Sequence, residues 1–119
     1  MISAEDILKQ FSKSGFAEVK PIKLPSTIQW QPDIVISKNS SKYYVLLRKG
    51  NSILPTFLSR ISNSSSKFNS IIVFDKKCSK IDENEILSMS ISVGYFIGNK
   101  LALKLKTNMT FLLVQNRTF

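Results

Sequence analysis

Residues 32–49, PDIVISKNSSKYYVLLRK, constrain this chain more than any other stretch. Two apolar runs, Ile34 to Ile36 and Tyr43 to Leu47, flank a polar turn from Ser37 to Lys42, and that pattern predicts a β-hairpin. An acid, Asp33, stands at its entrance and a basic pair, Arg48 and Lys49, at its exit. Strand side chains alternate between faces, so Leu47 and Lys49 share one face while Leu46 and Arg48 take the other. Chemistry, if the chain performs any, is expected where the acid and the cations meet.

The charge balance narrows the partners. The chain carries 17 Lys and Arg against 8 Asp and Glu, a net charge of +9, which favours polyanions and makes nucleic acid the first candidate. Most of the excess is central: Lys42, Arg48, Lys49, Arg60, Lys67, Lys76, Lys77 and Lys80 lie between residues 41 and 80, where Asp75 is the lone acid. A single cysteine, Cys78, excludes an internal disulfide. With no histidine there is neither a Cys/His zinc cluster nor a histidine general base, and Cys78 has no partner to make it a nucleophile. The first residues, MISAEDILKQF, lack the pattern of a secretory signal, and no apolar run approaches the roughly 20 residues that span a bilayer. A cytoplasmic protein that does not engage membranes is expected, as one domain over residues 1–119.

In chain order, Ser3 and Asp6 open a helix from Ala4 to Ser14 with the stripe Ile7, Leu8 and Phe11, and Gly15 ends it. Phe16 to Leu24 reads as a first strand closed by Pro25, and Thr27 to Trp30 as a continuation of the sheet. After the hairpin, Pro55 suits the first turn of a second helix carrying Phe57, Leu58 and Ile61, and the Ser/Asn-rich run from Ser62 to Ser70 reads as a surface loop. Ile71 to Phe74 predicts a buried strand. Asp82 and Glu85 then suggest a capping box for a third helix bearing Ile86, Met89 and Val93 and ending at Gly94. Tyr95 to Ile97 and Leu101 to Leu105 flank a Gly98-Asn99 hairpin turn, and Met109 to Val114 reads as one more strand. Trp30, Tyr43 and Tyr44 are expected as core or cross-strand partners ahead of platforms for bases.

The hairpin resembles the PD-(D/E)XK nuclease motif. In that family the Asp after the Pro and the acid of (D/E)-x-K hold a divalent metal, and the Lys helps orient or activate the attacking water. Pro32, Asp33 and Lys49 stand at matching positions, whereas the position that should be acidic is Leu47, which offers a hard cation no oxygen. The resemblance implies an α/β fold, a restriction-endonuclease-like mixed central sheet flanked by helices in the order α-β-β-β-α-β-α-β. The opening is also similar to that of the archaeal Holliday-junction resolvases, whose first helix carries an acid and ends in Gly-Phe, as Glu5 and Gly15-Phe16 do here. In those proteins a Pro-Asp strand and an acid-x-Lys strand follow, matched here by PDIVI and VLLRK.

What the resemblance implies for function follows from the departure at Leu47. The family's catalytic positions are Asp33 and Lys49, with Glu5 on the first helix beside them, and Asp33 is the one metal ligand of the motif that remains. The expected function is a nuclease-like domain that binds nucleic acid, DNA before RNA, without cutting it or as an accessory subunit of a nucleic-acid-processing complex. Lys42, Arg48, Arg60, Lys67, Lys76, Lys77 and Lys80 are the candidate phosphate contacts. No cofactor is expected. Mg²⁺ or Mn²⁺ enters only under the alternative of an active endonuclease, with Glu5 or Asp75 completing the site. A third reading is a protein-interaction or structural subunit, with a protein partner or a homodimer as its assembly.

Overall fold

In the computed structural model, residues 3–20 and 23–105 are described. The element order is α1 (Ala4–Lys13), β1 (Ala17–Val19), β2 (Ile34–Lys38), β3 (Ser41–Arg48), α2 (Pro55–Asn63), β4 (Ser70–Phe74), α3 (Lys80–Ser88), β5 (Ser92–Ile97) and β6 (Lys100–Lys104). This is the expected α/β class and order of elements, closed by the extra strand β6. All six strands form one sheet in chain order, parallel at β3/β4 and β4/β5 and antiparallel at the other three pairings.

Two parallel steps in the same direction require two crossovers, and right-handed crossovers of that kind put both helices on one face. Leu58 and Ile61 of α2 and Ile86 of α3 accordingly pack with Leu46, Ile72, Phe74, Val93 and Tyr95. The opposite face belongs to α1, whose Ile7 and Phe11 meet Ile34, Ile36, Val45, Ile71 and Val73. The central strand β4 is therefore covered on both sides, with Ile71 through Phe74 at 0% exposure. A continuous apolar run is the pattern that such a position requires.

The ends of the elements explain where the sequence was readable. Ser3 caps α1 by accepting the Asp6 amide, and Gly15, at φ +90°, lets the Phe16 amide return to the Phe11 carbonyl. The β2–β3 hairpin turns on Asn39 and Ser40, both at positive φ, with Lys38 and Ser41 paired across it. Its turn is thus tighter than the six polar residues suggest. Gly98 and Asn99 form the corresponding turn between β5 and β6.

Three expectations are corrected. The first strand is only Ala17–Val19, and Thr27–Trp30 lies outside the sheet, entered through a turn at residues 25–28 in which the Ile28 amide donates to the Pro25 carbonyl at 2.9 Å. Trp30 leaves the sheet because its indole is buried at the α2 side, where Nε1 donates to Ser64 Oγ at 2.9 Å. The third helix is capped by Ser79, whose Oγ accepts the Asp82 amide, and it ends at Ser88 instead of Gly94. Ser90 at φ +64° turns the chain, and Ile91, Val93 and Gly94 enter β5 and its approach. The apolar spacing that reads as helix beyond Ser88 is the alternation of a buried strand. The expected strand from Met109 to Val114 lies outside the described residues.

Gly94 is in the sheet because no side chain fits there. A Cβ at this position would stand 2.9 Å from Leu103 Cδ2 and 3.2 Å from Val73 Cγ2. Leu103 can move its tip, but Val73 is fully buried and stiff at χ1. Gly94→Val is therefore expected to lower unfolding stability by about 2 kcal/mol, and Gly94→Ala by less than half of that, in urea melts of the two variants.

Candidate functional site

The carboxyl-terminal ends of β3 and β4 gather the features singled out in the sequence. Asp33 precedes β2, and its Oδ2 accepts the Leu47 amide at 2.8 Å while its own amide donates to the Val45 carbonyl at 2.8 Å. The carboxylate is thereby fixed against the end of β3. Arg48 stands beside it, Nη1 at 4.0 Å from Asp33 Oδ2 and 2.8 Å from the Leu47 carbonyl it donates to. Its guanidinium also lies over the Phe57 ring of α2, 4.7 Å from the centroid. With the Asp33 side chain 47% exposed, this ion pair adds little by itself, and the stacking on Phe57 does more to hold the arginine's direction.

The loops that follow β3 and β4 are joined to each other. The Gly50 amide donates to Asp75 Oδ1 at 2.5 Å, and the Lys76 amide returns a bond to the Gly50 carbonyl at 3.2 Å. Further along, Asn51 Nδ2 donates to the Lys77 carbonyl at 3.3 Å, and the Cys78 thiol to the Asn51 carbonyl at 3.2 Å. Lys49, Lys76 and Lys77 are exposed on these two loops, and Lys80 is exposed in the first turn of α3 directly after them. Cys78 is buried beneath, and that burial pushes its thiol above the ordinary range.

The basic residues of the central third do not share one surface. Lys42 opens β3 and Lys67 precedes β4, so both lie at the far end of these strands from Arg48, Lys49, Lys76 and Lys77. Arg60 is exposed on the outer side of α2. Glu5 is exposed in the first turn of α1, over the sheet face that carries Leu47. Leu47 itself packs, half-buried, against the core beneath α1.

These donors do not gather into a ready-made cluster for a divalent metal. A hard cation of the Mg²⁺ type needs several converging oxygens. Asp33 and Asp75 each give an oxygen to a backbone amide, and Leu47 gives none. Among the described residues no three Asp, Glu or Cys side chains come together in the manner of a metal-binding cluster.

One cluster of ionisable groups has no counterpart in the sequence reading. Glu83 of α3 is 2% exposed, accepting from the Tyr95 phenol at 2.6 Å and pairing with Lys104 Nζ at 2.8 Å. Burial alone would raise its pKa, but the bonds from Lys104 and Tyr95 outweigh it, and the carboxyl sits below its usual range. Burial and donation to Glu83 push Tyr95 well above the ordinary phenol value. The bond to Glu83 raises Lys104. The signal in the sequence was present but subtle: Glu83 lies one turn before Ile86 on the inward stripe of α3, whereas Ile81 is 81% exposed.

The sequence matches no protein-family model and no curated protein. Among solved structures, SfsA of Pyrococcus furiosus, determined in complex with Ca²⁺, aligns with a TM-score of 0.45 and 11% identity over 86% of this chain. The aligned part is 58% of that protein, so the chain spans little more than half its length. At this degree of likeness no residue's role passes from one chain to the other. Among the described residues, no helix is long and apolar enough to cross a membrane.

Proposed function

We propose that this chain is a nuclease-like domain that binds nucleic acid, DNA before RNA, at the carboxyl-terminal end of β3 and β4 and does not cut it. Support comes from the resemblance of Pro32, Asp33 and Lys49 to the PD-(D/E)XK motif and from the order of elements around them. The observation that carries the reading is the composition of one sheet end. Arg48, Lys49, Lys76, Lys77 and Lys80 meet there, while the carboxylates of Asp33 and Asp75 are already held by the Leu47 and Gly50 amides.

In such a site the lysines engage phosphates as mobile point charges, and Arg48, stacked on Phe57, is the fixed donor. Leu47, at the position of the missing acid, packs half-buried against the core under α1. The backbone would be bound in register and left intact.

Duplex and single-stranded DNA are the probes. Binding is expected to weaken with a log–log salt slope of about −3 to −4, as four or so phosphates give up their counterions. No product is expected from either substrate with Mg²⁺ or Mn²⁺. Salt-independent binding, or none at low salt, removes the proposal. Cleavage with Mn²⁺ that Asp33→Ala abolishes favours the endonuclease reading instead.

A further inference from the structure

Between α2 and α3 lies an open cleft of about 230 Å³ that adjoins the basic sheet end: Asn51 and Cys78, on the loops that carry Lys49, Lys76 and Lys77, are part of its lining, whereas no lysine or arginine is. Leu58, Ile86, Met89 and Cys78 line it, and Asp82 and Glu85 of α3 stand on its rim. In a chain with 8 acids against 17 bases, two exposed carboxylates on one apolar cleft run against the composition. Neither carboxylate is ion-paired among the described residues.

We infer that this cleft docks a basic amphipathic segment of a protein partner, seating an apolar side chain between α2 and α3 and setting Lys or Arg against Asp82 and Glu85. The volume lies below the ~300–1,000 Å³ of pockets that take drug-sized ligands and is enough for one apolar side chain. The surroundings extend the apolar contact beyond the cleft. Leu54, next to the lining residue Pro55, is 72% exposed, and Ile81, next to Asp82, is 81% exposed. Large aliphatic side chains left open beside an apolar cleft are the arrangement that a partner helix covers with successive turns. The acidic lining then selects by sign: it attracts a cationic side chain, where the lysines of the adjoining loops attract phosphate.

The test uses the full chain with methyl-labelled Ile, Leu and Met, titrated with an amphipathic Leu/Lys peptide of ~12 residues, about three helical turns. A second peptide carries Glu at every Lys. The expected result is that the Leu/Lys peptide shifts the methyl signals of Leu58, Ile86 and Met89, while the Glu peptide leaves them in place. Asp82→Asn with Glu85→Gln, both exposed and outside the core, is expected to weaken the Leu/Lys peptide about 5- to 10-fold with the fold unchanged. Absence of any shift at millimolar peptide overturns the inference. So does equal response to both peptides, or affinity untouched by the double neutralisation.

Discussion

Glu83→Ala is expected to cost the fold about 2 kcal/mol, more than any other single change to a polar residue described above. Removal strands the Tyr95 hydroxyl, which is buried, and unties α3 from the edge strand β6. The figure is below the ~3–5 kcal/mol of a fully buried pair because Lys104 is 42% exposed and recovers water when its partner goes. Urea melts near pH 7 measure it. The pH dependence provides an independent check, since the folded Glu83 carboxyl lies below its unfolded value. Its contribution is complete above the unfolded pKa of about 4.3 and is lost as pH falls through the lower, folded one. Lys104, raised in the fold, acts in the opposite sense: its share is complete below the unfolded value of about 10.4 and fades as pH rises through the folded one. The gap between the parent protein and Glu83→Gln should therefore be widest between those limits, narrow as pH falls below the unfolded carboxyl value, and close below the folded one. A gap that persists undiminished in acid would show that packing, not charge, is what Glu83 supplies.

Substituting Lys76, Lys77 and Lys80 together by Ala should lower affinity for duplex DNA on the order of 100-fold at ~0.15 M salt. Each phosphate contact contributes a slope of about 0.9, which is roughly fivefold per contact at that ionic strength. The salt slope should shrink by roughly 2 to 3 in the same variant. The comparison that gives the result its meaning is Lys42→Ala, Arg60→Ala and Lys67→Ala combined. That variant loses the same formal charge from the far end of the strands and from the outer side of α2. It should change affinity by less than about threefold, the residual long-range effect of net charge. Equal losses in the two variants, measured by fluorescence anisotropy, would mean that overall charge governs binding and that the sheet end has no special part.

Much of this fold was readable from the chain. The acid-entered, cation-exited hairpin, the Ser3 cap with its Gly15 exit, and the apolar run before Asp75 each carry a local signal that tertiary packing has no reason to override. The misreadings have a common physical origin. At Ile91 and Val93, apolar spacing fits helix and buried strand equally well, and only Ser90 at positive φ, a conformation its residue type seldom adopts, separates the two. Trp30 suits a strand by propensity, yet its indole found Ser64, 34 positions away, and a hydrogen bond at that range leaves no trace in a local window.

The candidate site was legible only in part, for a related reason. A run of lysines close in sequence looks like one patch, but a strand carries Lys42 and Arg48 to opposite ends of the sheet. Parallel pairing with β4 then repeats the separation for Lys67 and Lys76. The carboxylates carry a second role that the sequence does not show: one oxygen each of Asp33 and Asp75 accepts a backbone amide, from Leu47 and Gly50.

The bonds between the segments around Gly50 and Lys77 bear on how such a surface would work. Two connections are fastened into one body before any partner arrives, so the backbone positions from which their lysines extend keep a set spacing. Little chain entropy remains to be surrendered on association. A polyanion with matching charge intervals gains from that rigidity, and one with the wrong intervals cannot draw the lysines' backbone into a new arrangement.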